Sequence, residues 1–207
     1  LRYRNKAVFP FGNRDGRVVF GCYGRKSHNL IPIDDCLLQA NDTITVMKTV
    51  CEWANAFGIG AYSPDSKGIL RSAVIRITSG GIMVVIVTTG VLPHRDELVS
   101  MLTEALPAVR SIIHNINPDD TNLVMGRKSR TVFGSPTVTD RLGELRFDVS
   151  AESFLQVNPS ETLKLYSVAI DALDIKPTDS VIDLYCGIGT ISLLAAKRAK
   201  NVLGIEV

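Results

Sequence analysis

Apolar residues recur along this chain in two periods, and the change from one to the other marks out its elements. Leu70–Thr78 and Ile82–Thr89 are β-branched runs broken only by Ser79-Gly80-Gly81. Two such runs joined by a short glycine turn predict an antiparallel hairpin. Residues 16–24 (GRVVFGCYG), Val109–Asn115 and Leu145–Val149 read as further strands. Residues 42–57 instead place apolar positions at helical spacing, with Asp42 expected as N-cap and Gly58 as the stop. His94–Leu106, bounded by Pro93 and Pro107, reads as a second helix. Residues 117–138 are dense in Gly, Pro, Asp, Asn, Ser and Thr and predict loop with short strands.

The pattern changes near residue 150. Asn158-Pro159-Ser160-Glu161 offers an N-cap residue, a first-turn proline and an acid, and Leu163, Tyr166, Ala169, Ile170 and Leu173 follow at helical spacing. Then come a strand over Val181–Leu184, a turn with Gly187 and Gly189, a helix over Thr190–Ala199, and a strand over Asn201–Ile205 that delivers Glu206. The expected fold is an α+β central domain over 1–150, followed over 151–207 by the start of an α/β Rossmann-like domain with a parallel sheet. Doubly wound sheets usually have five or more strands. Two are present, so the chain is expected to be a truncated piece of a longer protein.

At 207 residues, 45% hydrophobic and 21% charged, the chain has an ordinary globular composition. It has no apolar run of transmembrane length and no signal-peptide pattern, so no membrane partner and a cytoplasmic location are expected. Cys22, Cys36, Cys51 and Cys186 lack C-x-x-C spacing and are expected as free thiols. Charge is unevenly spread. Residues 1–30 carry seven basic residues against Asp15, a local +6 in a chain of net +2. Such a segment is a candidate polyanion surface or a solvated edge. His28, His94 and His114 have no metal-ligand spacing and are expected on the surface or in loops.

The glycine turn carries the chemistry. In an open α/β sheet, ligands bind at the carboxyl edge of the strands, where an acid can hold a ribose diol. A dinucleotide needs a third glycine so that its pyrophosphate can approach the helix. Ser192 stands at that position, and Asp183 precedes the turn. S-adenosylmethionine has no phosphate and a cationic end that suits a nearby carboxylate, so it is favoured over a dinucleotide.

Four segments in order then resemble the RNA uridine C5-methyltransferases, which make 5-methyluridine in bacterial 23S ribosomal or transfer RNA. They are Tyr3-Arg4-Asn5-Lys6; Gly24-Arg25-Lys26-Ser27-His28 with Asp35-Cys36; Ser153-Phe154-Leu155-Gln156-Val157-Asn158; and the stretch from Asp183 to Thr190. The resemblance implies a cysteine thiolate that adds to uracil carbon 6, activating carbon 5 to take the methyl group of S-adenosylmethionine. It places that cysteine beyond residue 207, so the chain alone is expected to be inactive, and Cys186 is read as a packing residue. It implies that Gln156 bonds the donor's polar end, Tyr185 lies on the adenosyl group, Gly187 shapes the turn and Glu206 holds the ribose. Thr190 stands where some members have Asn. Arg2, Arg4, Lys6, Arg25, Lys26 and His28 are expected along the RNA path. Phe154 is read as a core aromatic ahead of a stacking face for the flipped base. Cys36 matches the fourth ligand of a four-iron cluster whose other three cysteines this sequence lacks. Ribosomal RNA is favoured over transfer RNA as substrate. Another Rossmann-like methyltransferase and a non-enzymatic RNA-binding module are the alternatives.

Overall fold

The structure is a computed structural model and describes residues 1–66, 68–120 and 123–207. The strands β1 (Lys6–Arg14), β2 (Arg17–Tyr23), β3 (Leu30–Pro32), β4 (Leu70–Thr78), β5 (Gly81–Thr88), β6 (Val109–Ile116) and β7 (Lys128–Gly134) form one sheet in the order 3-2-1-4-5-6-7. Neighbours are antiparallel except β5 and β6, which α2 (Arg95–Ala105) connects in parallel.

The near-continuous apolar runs of β4 and β5 follow from burial on both faces. Ile82, Val84 and Ile86 point into one core with Ala7, Phe9, Phe11 and the helix α1 (Asn41–Ala56). Trp53 of α1 is fully buried there, and its indole N–H donates to the His94 carbonyl at 2.9 Å, tying α1 to the start of α2. The alternate residues Met83, Val85 and Val87 point into a second core. Its cover is the hairpin β8 (Val138–Leu142) and β9 (Leu145–Val149), together with Ala151 and Tyr166 of α3 (Pro159–Ala172). This second core runs without a break across residue 150.

The predicted hairpin, both early helices and the 16–24 strand are present. Some details differ. Ala40 is the N-cap residue of α1, and Asp42 sits in its first turn. β1 was hidden by Pro10 and Gly12, since proline in a run argues against a strand. Pro10 sits where β1 changes partner: residues 6–10 pair with β4 and residues 11–14 with β2. The polar stretch after residue 117 yields the seven-residue edge strand β7, largely exposed and therefore without an apolar signature. His114 lies on β6 and is 8% exposed, so it belongs to the interior and not to a surface loop.

The last segment folds as β10 (Ser180–Leu184), α4 (Thr190–Ala195) and β11 (Asn201–Ile205), with β10 and β11 parallel from Ser180↔Asn201 to Leu184↔Ile205. α4 is shorter than the predicted helix to Ala199. Ile182, Leu184, Leu203 and Ile205 on the two strands are exposed.

Candidate functional site

The turn between β10 and α4 is built from left-handed backbone. Tyr185 (φ 60°), Gly187 (φ 57°) and Gly189 (φ 81°) all adopt positive φ. A Cβ on Gly187 would meet nothing within 4 Å, so this glycine is needed for its conformation and not for space. Gly204 on β11 shows the opposite need: a Cβ there would lie 2.9 Å from the Cys186 sulfur and 3.2 Å from the Ser192 hydroxyl. Cys186 is thus wedged against the neighbouring strand.

Two hydrogen bonds lock this turn. The Gly187 amide donates to Glu206 Oε2 at 2.7 Å, and the Ser192 hydroxyl donates to Asp183 Oδ2 at 2.6 Å. The first fixes one carboxylate oxygen of Glu206 on the turn and leaves the other able to accept further hydrogen bonds. The second puts a carboxylate and a side chain where a dinucleotide would need its third glycine, which disfavours a pyrophosphate. The Tyr185 ring is 80% exposed beside the turn, an open apolar face for a base. Thr190 opens α4 but is buried. This donor set suits the adenosyl end of S-adenosylmethionine.

The segment from Ser153 to Asn158 is held from below. Arg76 of β4 is buried, and its guanidinium donates to the carbonyls of Ser153 and Ala151. Burial lowers its pKa, and Glu152 and Asp140 partly offset this. The Asn5 amide donates to the Val157 carbonyl at 3.0 Å, and its side chain donates to the Gln156 carbonyl at 3.4 Å. These bonds dock the segment at the start of β1. Leu155 packs on the second core, as do Ile188 of the turn and Leu194 of α4. The same core therefore supports both segments, although among the described residues no hydrogen bond joins Gln156 to Tyr185 or Glu206. Phe154 is 67% exposed, so it is not the core aromatic expected from sequence.

The basic residues divide by environment. Arg2 forms a two-pronged ion pair with Asp35 at 2.8 and 2.7 Å and also reaches the Cys36 carbonyl, so its guanidinium is engaged within the chain. Arg4 is half-buried, with its Nε unpartnered. Lys6 faces Arg76 across β1 and β4; burial, then the charge of Arg76, lowers its pKa. Arg25, Lys26 and His28 are exposed at the tip of the β2–β3 hairpin, where Tyr23 meets the His28 ring edge-on at 5.5 Å. Among the described residues no three His, Cys, Asp or Glu side chains gather around a metal position. A four-iron cluster needs four thiolates, so the residues around Cys36 do not fit one. No helix among the described residues is long and apolar enough to cross a membrane.

The parallel β10–β11 pair, the left-handed turn and the acid after β11 form a βαβ unit packed against a mixed, mostly antiparallel sheet. Sequence relatives make this class more specific. The chain is 41% identical over 210 residues to a protein of Halalkalibacterium halodurans, and 40% identical over 210 residues to one of Clostridium tetani, both named uncharacterized RNA methyltransferases. Each match takes in 100% of this chain and 46% of the relative, so the chain spans about half the length of the curated relatives it matches. It is a relative of these RNA methyltransferases along its whole length, as the ordered segments implied. Among solved structures, the Pyrococcus abyssi tRNA (uracil-54, C5)-methyltransferase in complex with S-adenosyl-L-homocysteine shares the fold. Its TM-score is 0.79 at 22% identity, over 99% of this chain and 49% of that one. No protein-family model matches the chain.

Proposed function

We propose that this chain is the RNA-facing and donor-binding part of an S-adenosylmethionine-dependent RNA uridine C5-methyltransferase. The observation that carries the reading is the locked turn: an acid held by the Gly187 amide, an open aromatic face at Tyr185, and Ser192 on Asp183 where a pyrophosphate would go. Glu206 holds the ribose, Tyr185 covers the adenosyl group, and Gln156 bonds the methionine end, with Thr190 at the margin. Bound S-adenosylmethionine supplies an electrophilic methyl group. Phe154, exposed next to Gln156, offers a stacking face to a uracil lifted out of its strand.

The thiolate that adds to carbon 6 is not Cys186, whose sulfur is packed against Gly204. The sequence resemblance places that nucleophile beyond residue 207. Arg4, Lys6, Arg25, Lys26 and His28 line the RNA path, and ribosomal RNA is the preferred substrate over transfer RNA.

The test has two steps. Calorimetry with S-adenosylhomocysteine should show binding to the chain that Glu206→Ala weakens about 10- to 100-fold, the value of losing hydrogen bonds to a charged group. The full-length protein, incubated with unmodified ribosomal and transfer RNA and the methyl donor, should yield 5-methyluridine by nucleoside mass spectrometry. Methyl transfer to another position or to protein would support a different methyltransferase. RNA binding with no donor binding at all would leave only an RNA-binding module.

A further inference from the structure

A groove of about 400 Å³ lies at the far end of the sheet from Gln156, and none of the residues discussed above as RNA or donor contacts line it. Its floor is β6 and β7, and the start of α2 forms one wall. Register places Lys128 opposite Ile116 and Arg130 opposite His114, so Lys128 and Arg130 share one face of the edge strand with His114, and Val132 lines the groove from the point where the register shifts. Leu92 and Val132 add apolar lining.

Its charge is unbalanced. Asp96 at the rim is already paired with Arg95 at 3.3 Å. Lys128 and Arg130 are exposed and form no ion pair among the described residues. His114 is fixed beneath them. The Thr88 hydroxyl donates to the Gly90 carbonyl at 2.6 Å, which can only accept, so Thr88 must accept the 2.7 Å bond from His114 Nε2–H.

The sequence Gly-Arg-Lys-Ser occurs twice, at 24–27 and 126–129. The first copy is the exposed tip after β2. The second leads into β7. Four strands separate β2 from β7, roughly 24 Å at ~4.8 Å per step. The two copies also lie at opposite ends of their strands: the first is on the Lys6–Arg76 side and the second beside Thr88 and Ile116.

We propose that the β7 groove is a second RNA-backbone site, in which Lys128 and Arg130 take phosphate oxygens of a strand remote from the target base. It rests on the reading that the partner is RNA. Two cations without an ion pair among the described residues, set beside apolar Leu92, Ile116 and Val132, suit a sugar–phosphate chain, with charge on its outer edge and a flat ring beneath.

The test uses fluorescein-labelled polyuridylate and the whole chain, with binding followed by anisotropy over a salt series. Lys128→Ala with Arg130→Ala should weaken binding about tenfold at low salt. It should also flatten the log–log salt slope by about 1.4, at roughly 0.7 per phosphate on a single strand. The comparison pair Arg141→Ala with Arg146→Ala removes the same charge from exposed positions on the β8–β9 hairpin. It should leave the slope unchanged. All these positions are exposed, so circular dichroism melts should coincide. Equal losses from both pairs would reduce the effect to net charge and overturn the site. So would an unchanged β7 variant while the parent chain binds RNA, which leaves the RNA reading standing. A parent chain with no salt-dependent RNA binding would overturn both. Competition by inorganic phosphate beyond its ionic strength would mean that the groove takes a free phosphate, and would overturn the RNA-backbone assignment.

Discussion

Glu206 is tied to the glycine turn through one carboxylate oxygen, and this makes the turn sensitive to single atoms. One oxygen is committed to the Gly187 amide, so the acid arrives already oriented. Gly187→Ala adds no steric clash and should act through backbone strain alone, costing roughly 1–2 kcal/mol for a left-handed Ala. Reduced S-adenosylhomocysteine affinity with an unchanged fold by circular dichroism would check this. His114 gives a pH prediction. Burial, with the charge of Arg130, lowers its pKa below the usual 6.5, against a weaker upward pull from the Gly90 carbonyl. The folded chain therefore prefers the neutral ring, and the unfolded chain takes the proton first. Stability from this group is whole above pH 6.5 and is lost as pH falls through the lower folded value. Urea midpoints measured between pH 7.5 and 5.5 should fall in the parent chain and flatten in His114→Gln.

At the scale of elements, the segment carrying Phe154 and Gln156 is an irregular strip whose shape is set by its neighbours. Arg76 is its main anchor from below. Arg76→Met keeps the bulk but strands the carbonyls of Ala151 and Ser153, and should cost about 2 kcal/mol in urea unfolding. If instead the variant were as stable as the parent, the strip would be held by Asn5 alone. This level also shows what the sequence made legible. The glycine turn, Glu206 and the β4–β5 hairpin were readable because each is a local pattern with one physical solution. β1 was not, because Pro10 marks a change of pairing partner, which depends on strands far away in sequence. Phe154 was misread for a related reason: one aromatic in a short segment has no periodicity to show which side it faces. The β7 groove was hidden in a polar stretch, where exposure removes the apolar alternation that betrays strands.

In the whole molecule, two opposite surfaces stand out. The central strands β4 and β5 of the large sheet are covered on both faces, whereas β10 and β11 carry Ile182, Leu184, Leu203 and Ile205 in the open. Such a patch binds apolar probes. The isolated chain should enhance anilinonaphthalene sulfonate fluorescence while keeping a cooperative melt, and Ile182→Thr with Leu184→Thr should reduce the signal. An unchanged signal would locate the dye elsewhere, for instance along α3, where Leu165 and Val168 are also exposed. The second core has a different consequence. Because Val85 and Ile113 of the sheet share it with Tyr166, and Ile188 and Leu194 pack against it, opening of the glycine turn is expected to be coupled to opening of the strands. A ligand on the turn at a hundred times its dissociation constant contributes about 2.7 kcal/mol to the folded state. That energy is felt by every amide in the same cooperative unit. Hydrogen exchange would therefore slow deep in β5 and β6, at strands the ligand never touches, and the sheet would report on whether the turn is filled.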